Sequence, residues 1–151
     1  MNHPREILTA AEITAMEPEH SVHPLNANAA RLKRSLGDAT GLTQLGFHLM
    51  TLMPGHESTE YHRHLYGEEC VYVLSGIGEA TIDGQTCPVG PGDFMGFPRG
   101  GPAHTMRNTG DAPLVYIVAG DRPEHDVCDY PNLGKRLYKA GANKVFVDHD
   151  E

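Results

Sequence analysis

Three histidines and one glutamate have the residue types and the spacing of a metal site. His62 and His64 are two positions apart in a segment predicted to be extended, so their side chains point to the same face. Glu69 follows Gly67, which permits a turn, and we expect Glu69 at the start of the next strand, beside both imidazoles. His104 lies about 40 residues further on and would join them only if the fold brings distant strands together.

Three imidazoles and one carboxylate suit a divalent transition metal such as zinc, iron, manganese or nickel. Such a set leaves one or two coordination positions for water or substrate, which distinguishes a catalytic or ligand-binding site from a purely structural one. A His-x-His pair alone is weak evidence, because exposed strands also carry such pairs. The residues that surround the histidines decide between these interpretations.

Glycines and prolines flank the four candidate ligands at defined spacings. The two stretches run Gly55-x6-His62-x-His64-x4-Glu69-x6-Gly76 and Gly92-x5-Pro98-x-Gly100-x3-His104-x3-Asn108. They resemble the two motifs of the cupin superfamily, G-x5-H-x-H-x3,4-E-x6-G and G-x5-P-x-G-x2-H-x3-N. Each stretch has one extra residue, before His62 and between Gly100 and His104, and both insertions fall in predicted loops.

The resemblance covers residues 41–120 and implies an all-β protein, a double-stranded β-helix (jelly-roll) barrel with the metal inside. The 17 glycines and 11 prolines agree, because they divide the chain into short strands. Residues 1–40 form an N-terminal extension that packs on the barrel or on a partner subunit, and residues 121–151 form a tail that covers the barrel. Residues 1–27 are predicted to be irregular apart from a helix over Thr9–Met16, and residues 31–36 to be a strand. Asp83-Gly84 predicts a hairpin turn.

Strand periodicity predicts which side chains accompany the ligands. Met106 and Asn108 share the inward face of His104, and Val71 and Val73 share that of Glu69. Arg63 and Arg107 point outward, which leaves Arg99 on the lip of the barrel. The opposite face of the Glu69 strand is also apolar; it is formed by Cys70, Tyr72 and Leu74. Because a second subunit would cover that face, we predict a homodimer.

Other residues near the motifs are candidates for catalysis or for the wall of a pocket. Glu57, Glu60 and Tyr61 are the candidate acids or bases. The candidate pocket walls are Tyr61, Tyr66, His48, Phe94 and Phe97, although packing is the favoured role of the two phenylalanines. The segment PEHDVCDYP, with His125, is placed over the pocket. His3, His20, His23 and His149 are expected to have no catalytic role.

Three functions fit these features. The first is a metal-dependent enzyme on a small polar metabolite such as a sugar or sugar phosphate, of the isomerase or epimerase type. It is favoured by the resemblance to small bacterial cupins labelled as sugar-phosphate isomerases, and the lack of an inward-facing cation weakens its phosphate version. The second is an iron-dependent dioxygenase. The third is a non-catalytic module that binds or senses a small molecule.

Composition excludes several other classes. The formal charge of −8 disfavours a nucleic-acid partner, and no apolar run approaches the ~20 residues that would span a bilayer. The N-terminal residues do not resemble a secretory signal. Three widely spaced cysteines, Cys70, Cys87 and Cys128, are predicted to be reduced, buried thiols of a cytoplasmic protein.

Overall fold

The computed structural model describes residues 2–150, which form a set of antiparallel sheets with two short helices. The elements in chain order are α1 (Ala10–Ala15), β1 (Glu19–His23), β2 (Asn26–Ser35), α2 (Leu36–Thr40), β3 (Leu45–Leu52), β4 (Arg63–His64), β5 (Glu69–Ser75), β6 (Gly78–Ile82), β7 (Gln85–Val89), β8 (Phe94–Phe97), β9 (His104–Asn108), β10 (Leu114–Asp121), β11 (His125–Tyr130), a 3-10 turn (Pro131–Leu133), β12 (Lys135–Ala140) and β13 (Asn143–Asp148). Neither α-helix in the described part of the chain is long and apolar enough to cross a membrane.

Three sheets make up the barrel. Their strand orders are β1-β2-β3-β10-β5-β8, β13-β12-β11-β4 and β7-β6-β9. The core cluster joins the first and third sheets; it comprises Met50, Leu52, Val73, Met106, Leu114 and Tyr116. Residues of β3, β5, β9 and β10 supply these side chains, and they alternate along β3 and β10 as the period of a half-buried strand requires. The prediction of an all-β jelly-roll barrel is confirmed.

The N-terminal region is more ordered than the sequence suggested. The predicted helix forms as α1, and Thr9 and Glu12 make a reciprocal capping box at its start. The expectation of an otherwise irregular segment up to residue 27 is wrong, because β1 pairs with β2, which pairs with β3. β1 is a polar strand at the edge of the six-stranded sheet. Its extended conformation is stabilised by backbone hydrogen bonds to β2, and its side chains do not show the alternation of polar and apolar residues that would predict a strand.

The segment that carries the first two histidines is a strand over only two residues. His62 pairs with His104 of β9, whereas β4 (Arg63–His64) pairs with β11. The segment predicted to be extended around His62 and His64 is therefore not one continuous strand, because the chain changes from one sheet to another between neighbouring residues. This change of partner brings the motif histidines to the junction of two sheets.

The turn at Asp83-Gly84 agrees with the predicted local structure, and the C-terminal tail forms strands. Asp83 and Gly84 both have positive φ (50° and 75°) in the two-residue connection between β6 and β7. The C-terminal residues form β11, β12 and β13, whose sheet begins at β4. The division of the chain into units at residues 40 and 120 stays a prediction.

Candidate metal centre

His62 and His104 face each other across the isolated bridge that links their backbones. The two backbone hydrogen bonds measure 3.2 and 2.8 Å, and the ring centroids are 4.6 Å apart. The Nδ1 of His62 lies 2.8 Å from the carbonyl of Glu60, and the Nδ1 of His104 lies 3.3 Å from the carbonyl of Pro102. Carbonyls only accept, so both Nδ1 atoms donate, and each Nε2 is left with a lone pair for a ligand.

Glu69 is the first residue of β5, and its carboxylate lies between these two rings. Its Oε1 is 2.5 Å from the Nε2 of His104 and 3.2 Å from the Nε2 of His62. Burial alone would raise the pKa of Glu69, but the contacts with His104 and His62 reverse the effect and hold the pKa well below its usual value. Because both Nδ1 atoms already donate, each Nε2 donates to Glu69 only when its ring is protonated on both nitrogens, and in the neutral ring the lone pair of Nε2 is free for a metal. Burial lowers the pKa of His62, in spite of the opposing effect of Glu69. The carboxylate is therefore charged at neutral pH, as a metal ligand must be.

His64 lies beside this group and has a carboxylate of its own. Its Nδ1 is 2.7 Å from Oδ2 of Asp126, a residue of β11, and its ring centroid is 5.0 Å from that of His62. Burial lowers the pKa of His64, but the hydrogen bond to Asp126 and the charge of Glu69 outweigh burial and raise it. A carboxylate on Nδ1 is the partner that metal-bound histidines commonly have, because it fixes the tautomer with Nε2 free.

The donor atoms fall into two overlapping groups that share His62. His62, Glu69 and His104 form one group, and His62, His64 and Cys128 form the other, with the donor atoms of each within 4.8 Å of one another. Burial raises the pKa of the Cys128 thiol to about 12. Sequence reasoning missed this thiol. The alternation along β11 was the available signal, since residues 126, 128 and 130 share a face.

A cavity of about 440 Å³ opens beside these side chains. It is lined by His62, His64, Glu69 and His104 and by residues from several strands outside the motifs, including His23, His48, Tyr116, Asp126, Cys128 and Tyr130. The segment PEHDVCDYP reaches the cavity through Pro123, Asp126, Cys128 and Tyr130, whereas His125 is exposed. His23, which was expected to have no catalytic role, is one of the lining residues.

The cavity also contains basic side chains. They are Arg31, Lys33, Arg122, Lys139 and Lys144. The outward orientation of Arg63 agrees with the structure, since its Nε lies 3.4 Å from Asp129, and Arg107 is exposed. Arg99, which was placed on the lip of the barrel, lies over the ring of Tyr66 and is not among the residues that line the cavity.

The three candidate acids and bases do not line the cavity. Oε2 of Glu57 accepts hydrogen bonds from the side-chain amides of Asn26 and Asn28, and the hydroxyl of Tyr61 accepts one from Gly84. Glu60 supplies the carbonyl that orients His62, and burial raises the pKa of its carboxyl group. Their catalytic roles stay a prediction.

Of the five candidate wall residues, only His48 is among those that line the cavity. Phe97 stacks on the ring of His104 at a centroid distance of 3.5 Å and an interplanar angle of 5°. The packing role favoured for Phe97 agrees with this contact, which fixes the orientation of the His104 ring. Phe94 is 64% exposed on the outer face of its sheet, so the packing role favoured for it is wrong within a single chain.

The predicted strand faces agree with the observed burial. Met106, Asn108 and Val73 are buried, whereas Tyr72 and Leu74 are exposed. The side-chain amide of Asn108 donates to the carbonyls of Leu52 and Ala112 and so stabilises the turn after β9. The three cysteines are free thiols in the described residues, but Cys87 is exposed, against expectation.

Comparison with known proteins identifies the family. A model of the cupin domain matches residues 48–120. A solved structure from Acidithiobacillus ferrooxidans, named "Putative sugar phosphate isomerase", is 51% identical with a TM-score of 0.94, over 95% of this chain and 92% of that one. The chain belongs to the cupin superfamily.

Two further relatives carry different names. A cupin from Silicibacter pomeroyi described as a sugar phosphate isomerase is 31% identical with a TM-score of 0.78, over 87% of this chain and 85% of the other. The polyketide synthase CurC of Streptomyces cyaneus is also 31% identical, over 75% of this chain and 70% of its own. The cupin spans 54% to 70% of the length of the curated relatives it matches. The names of these relatives refer to different reactions, sugar phosphate isomerisation and polyketide synthesis.

Proposed function

We propose that this cupin is a metal-dependent enzyme that isomerises or epimerises a sugar or sugar phosphate, with the metal held by His62, His64, Glu69 and His104. The observation that carries the proposal is the approach of two Nε2 atoms to one partly buried carboxylate oxygen at the wall of a cavity. Two solved relatives are named for the same class of reaction.

The donor set fits such a metal. Three imidazoles and a carboxylate are ligands of zinc, iron, manganese and nickel, and the Nδ1 partners of all three histidines direct Nε2 away from the backbone. The metal would polarise a carbonyl of the substrate and so acidify the adjacent C–H. A cavity of about 440 Å³ lies in the usual range for sites that enclose a small metabolite.

The isomerisation requires a base that takes a proton from one carbon and returns it to the next. Glu60 is the best supported of the three predicted candidates, because burial raises its pKa towards neutral pH, although its side chain does not line the cavity. His23 and His48 do line the cavity, and burial lowers the pKa of both, that of His23 to about 4. Both imidazoles are therefore neutral at pH 7 and have a lone pair that accepts a proton.

Elemental analysis of protein purified without added metal tests the ligands. We expect close to one metal ion per chain in the wild type and a large loss in His62→Ala and His104→Ala. His125→Ala is the matched control, because His125 is exposed on β11 and does not line the cavity. Equal metal in all four proteins would refute the site.

Proton exchange tests the reaction. We expect sugars or sugar phosphates that are substrates to take up deuterium at the carbon next to the carbonyl when incubated with the enzyme in D₂O, as followed by NMR. Iron together with oxygen consumption would favour the dioxygenase alternative. Binding of a sugar without exchange or turnover would favour a non-catalytic module.

We also propose that a second copy of the chain covers the outer face of the six-stranded sheet. Leu49, Ile117, Tyr72 and Phe94 lie in register across four neighbouring strands of that face, and Tyr72 and Phe94 are 44% and 64% exposed. Adjacent apolar side chains in a continuous row are typical of protein–protein interfaces. The expected particle in solution is a homodimer.

A further inference from the structure

Five of the 12 lysines and arginines of this acidic chain line the cavity. They come from three separate parts of the chain: Arg31 and Lys33 from β2, Arg122 from the segment after β10, and Lys139 and Lys144 from the hairpin of β12 and β13. The chain has a net charge of −8, yet five basic side chains line this single cavity. These five residues are called the cationic wall below.

The acids that line the same cavity are already engaged. Glu69 contacts His62 and His104, and Asp126 contacts His64 and the backbone N–H groups of Tyr66, Gly67 and Val127. The carboxylate of Asp121 accepts a hydrogen bond from the backbone N–H of Glu68. The carboxylate of Glu68 accepts one from the backbone N–H of Arg99. Outside the cavity, Lys33 pairs with Glu19 at 3.3 Å and Arg122 pairs with Asp38 at 2.8 Å. Among the described residues, the cations of the wall that have no carboxylate partner are therefore Arg31, Lys139 and Lys144.

Lys139 and Lys144 show this most directly. They are directly opposite each other in the β12–β13 hairpin. Like charges in that position destabilise a hairpin, unless an anion lies between them. The ion pairs of the described hairpin join Lys135 to Asp148 and Arg136 to Asp129. Lys139 and Lys144 take part in neither of these pairs.

Two buried nitrogen atoms at the cavity have no hydrogen-bond partner among residues 2–150: Nε of Arg31 and Nδ1 of His48. The guanidinium of Arg31 is fixed by hydrogen bonds from Nη1 to the carbonyl of Ser58 and from Nη2 to the hydroxyl of Ser21. After burial, Lys33 and Arg122 contribute most to the lowered pKa of His48, so both cations lie close to that ring. The polar surface there is ordered before any ligand binds.

We propose that the cationic wall is the subsite for the phosphate group of the substrate, and that it lies beside the histidine cluster that holds the sugar end. This inference rests on the proposed function for the position of the reacting atoms, but not for the binding of phosphate itself. A phosphate monoester is nearly a dianion at pH 7 and accepts several charge-assisted hydrogen bonds, which matches cations from three segments. A monoanionic carboxylate would satisfy fewer of them.

Calorimetric titration with inorganic phosphate at low ionic strength tests the subsite in the protein as purified. Lys139→Gln/Lys144→Gln should bind phosphate at least about tenfold more weakly than the wild type, since two charge-assisted contacts are lost. Lys135→Gln is the matched control on the same hairpin, because it removes one charge outside the cavity and should bind as the wild type does. Arg122→Gln, on another segment, should also weaken binding, which keeps the test valid if the hairpin variant unfolds.

Three results would overturn the inference: no phosphate binding by the wild type, equal binding by the wild type and the double variant, or acetate binding as tight as phosphate. Metal content distinguishes this failure from that of the proposed function. His62→Ala should lose metal and retain phosphate affinity within about threefold. A wild-type protein that lacks metal but binds phosphate through these lysines would refute the metal-dependent function and support the subsite.

Discussion

Replacement of Asp126 by asparagine separates the positioning of a metal ligand from its identity. Oδ2 of Asp126 accepts a hydrogen bond from Nδ1 of His64 at 2.7 Å, and Oδ1 accepts hydrogen bonds from the backbone N–H groups of Tyr66, Gly67 and Val127. Asparagine keeps Oδ1 and replaces Oδ2 by an amide that donates. His64 must then accept at Nδ1, which moves its proton to Nε2, where a metal would bind.

The expected magnitude follows from these contacts. Loss of the carboxylate partner of a metal-bound histidine typically lowers metal affinity 10- to 100-fold, which is about 1.4 to 2.7 kcal/mol. The three backbone hydrogen bonds to Oδ1 survive in the variant, so the fold should lose no more than about 1–2 kcal/mol of stability. Asp126→Ala would remove all four contacts and confuse the two effects.

A competition titration of zinc against a chelator of known affinity measures the predicted change. Asp121→Asn is the matched control: Asp121 lines the same cavity and accepts a hydrogen bond from the backbone of Glu68 at 2.7 Å, but it hydrogen-bonds no histidine in the described residues. Zinc affinity in Asp126→Asn equal to that of the wild type, or an equal loss in Asp121→Asn, would refute the positioning role.

Three further predictions concern the fold and the assembly. Asp129→Asn should lower the stability at pH 7 by about 2–4 kcal/mol, because Asp129 is 1% exposed and receives two hydrogen bonds from Arg136. Arg136 lowers the pKa of Asp129, so this stabilisation is present above the pKa of the unfolded chain and is lost as pH falls through the lowered pKa of the folded protein. In urea titrations, the difference in unfolding free energy between the wild type and the variant should shrink below about pH 4. A difference that does not change with pH would contradict the assignment. Gly76→Ala should lower the Tm by about 6–12 °C, because Gly76 has φ +84° and a Cβ would lie 2.5 Å from the carbonyl of Pro113. Gly90→Ala is the control, since no atom lies within 4 Å of the position of its Cβ. Equal effects of the two substitutions in calorimetry would refute the steric argument. Phe94→Glu should convert the dimer to a monomer in light scattering while Val145→Glu does not, and an unchanged mass would exclude this face as the interface.

The motif spacing was sufficient to predict the barrel, but it could not predict which other residues surround the site. Glycine and proline positions predicted the turns around His62 and His104, because positive φ and restricted φ are local properties. Asp126 and Cys128 lie about 60 residues from His64, on a strand whose pairing with β4 no local pattern indicates. Strand periodicity assigned the neighbours of the histidines correctly, and it could not assign residues on strands of unknown position.

The phosphate argument shows how this limit changes a functional conclusion. Periodicity correctly directed Arg63 and Arg107 away from the site, and the phosphate version of the enzyme then lacked a cation. The missing charges are supplied by β2, the segment after β10 and the C-terminal hairpin. The sequence analysis assigned the first of these regions to the N-terminal extension and the other two to the C-terminal tail. Residues 48–120, which the cupin model matches, contain none of the five cations. If the wall binds phosphate as proposed, the family-wide barrel supplies the metal ligands and the segments outside it supply the choice of substrate.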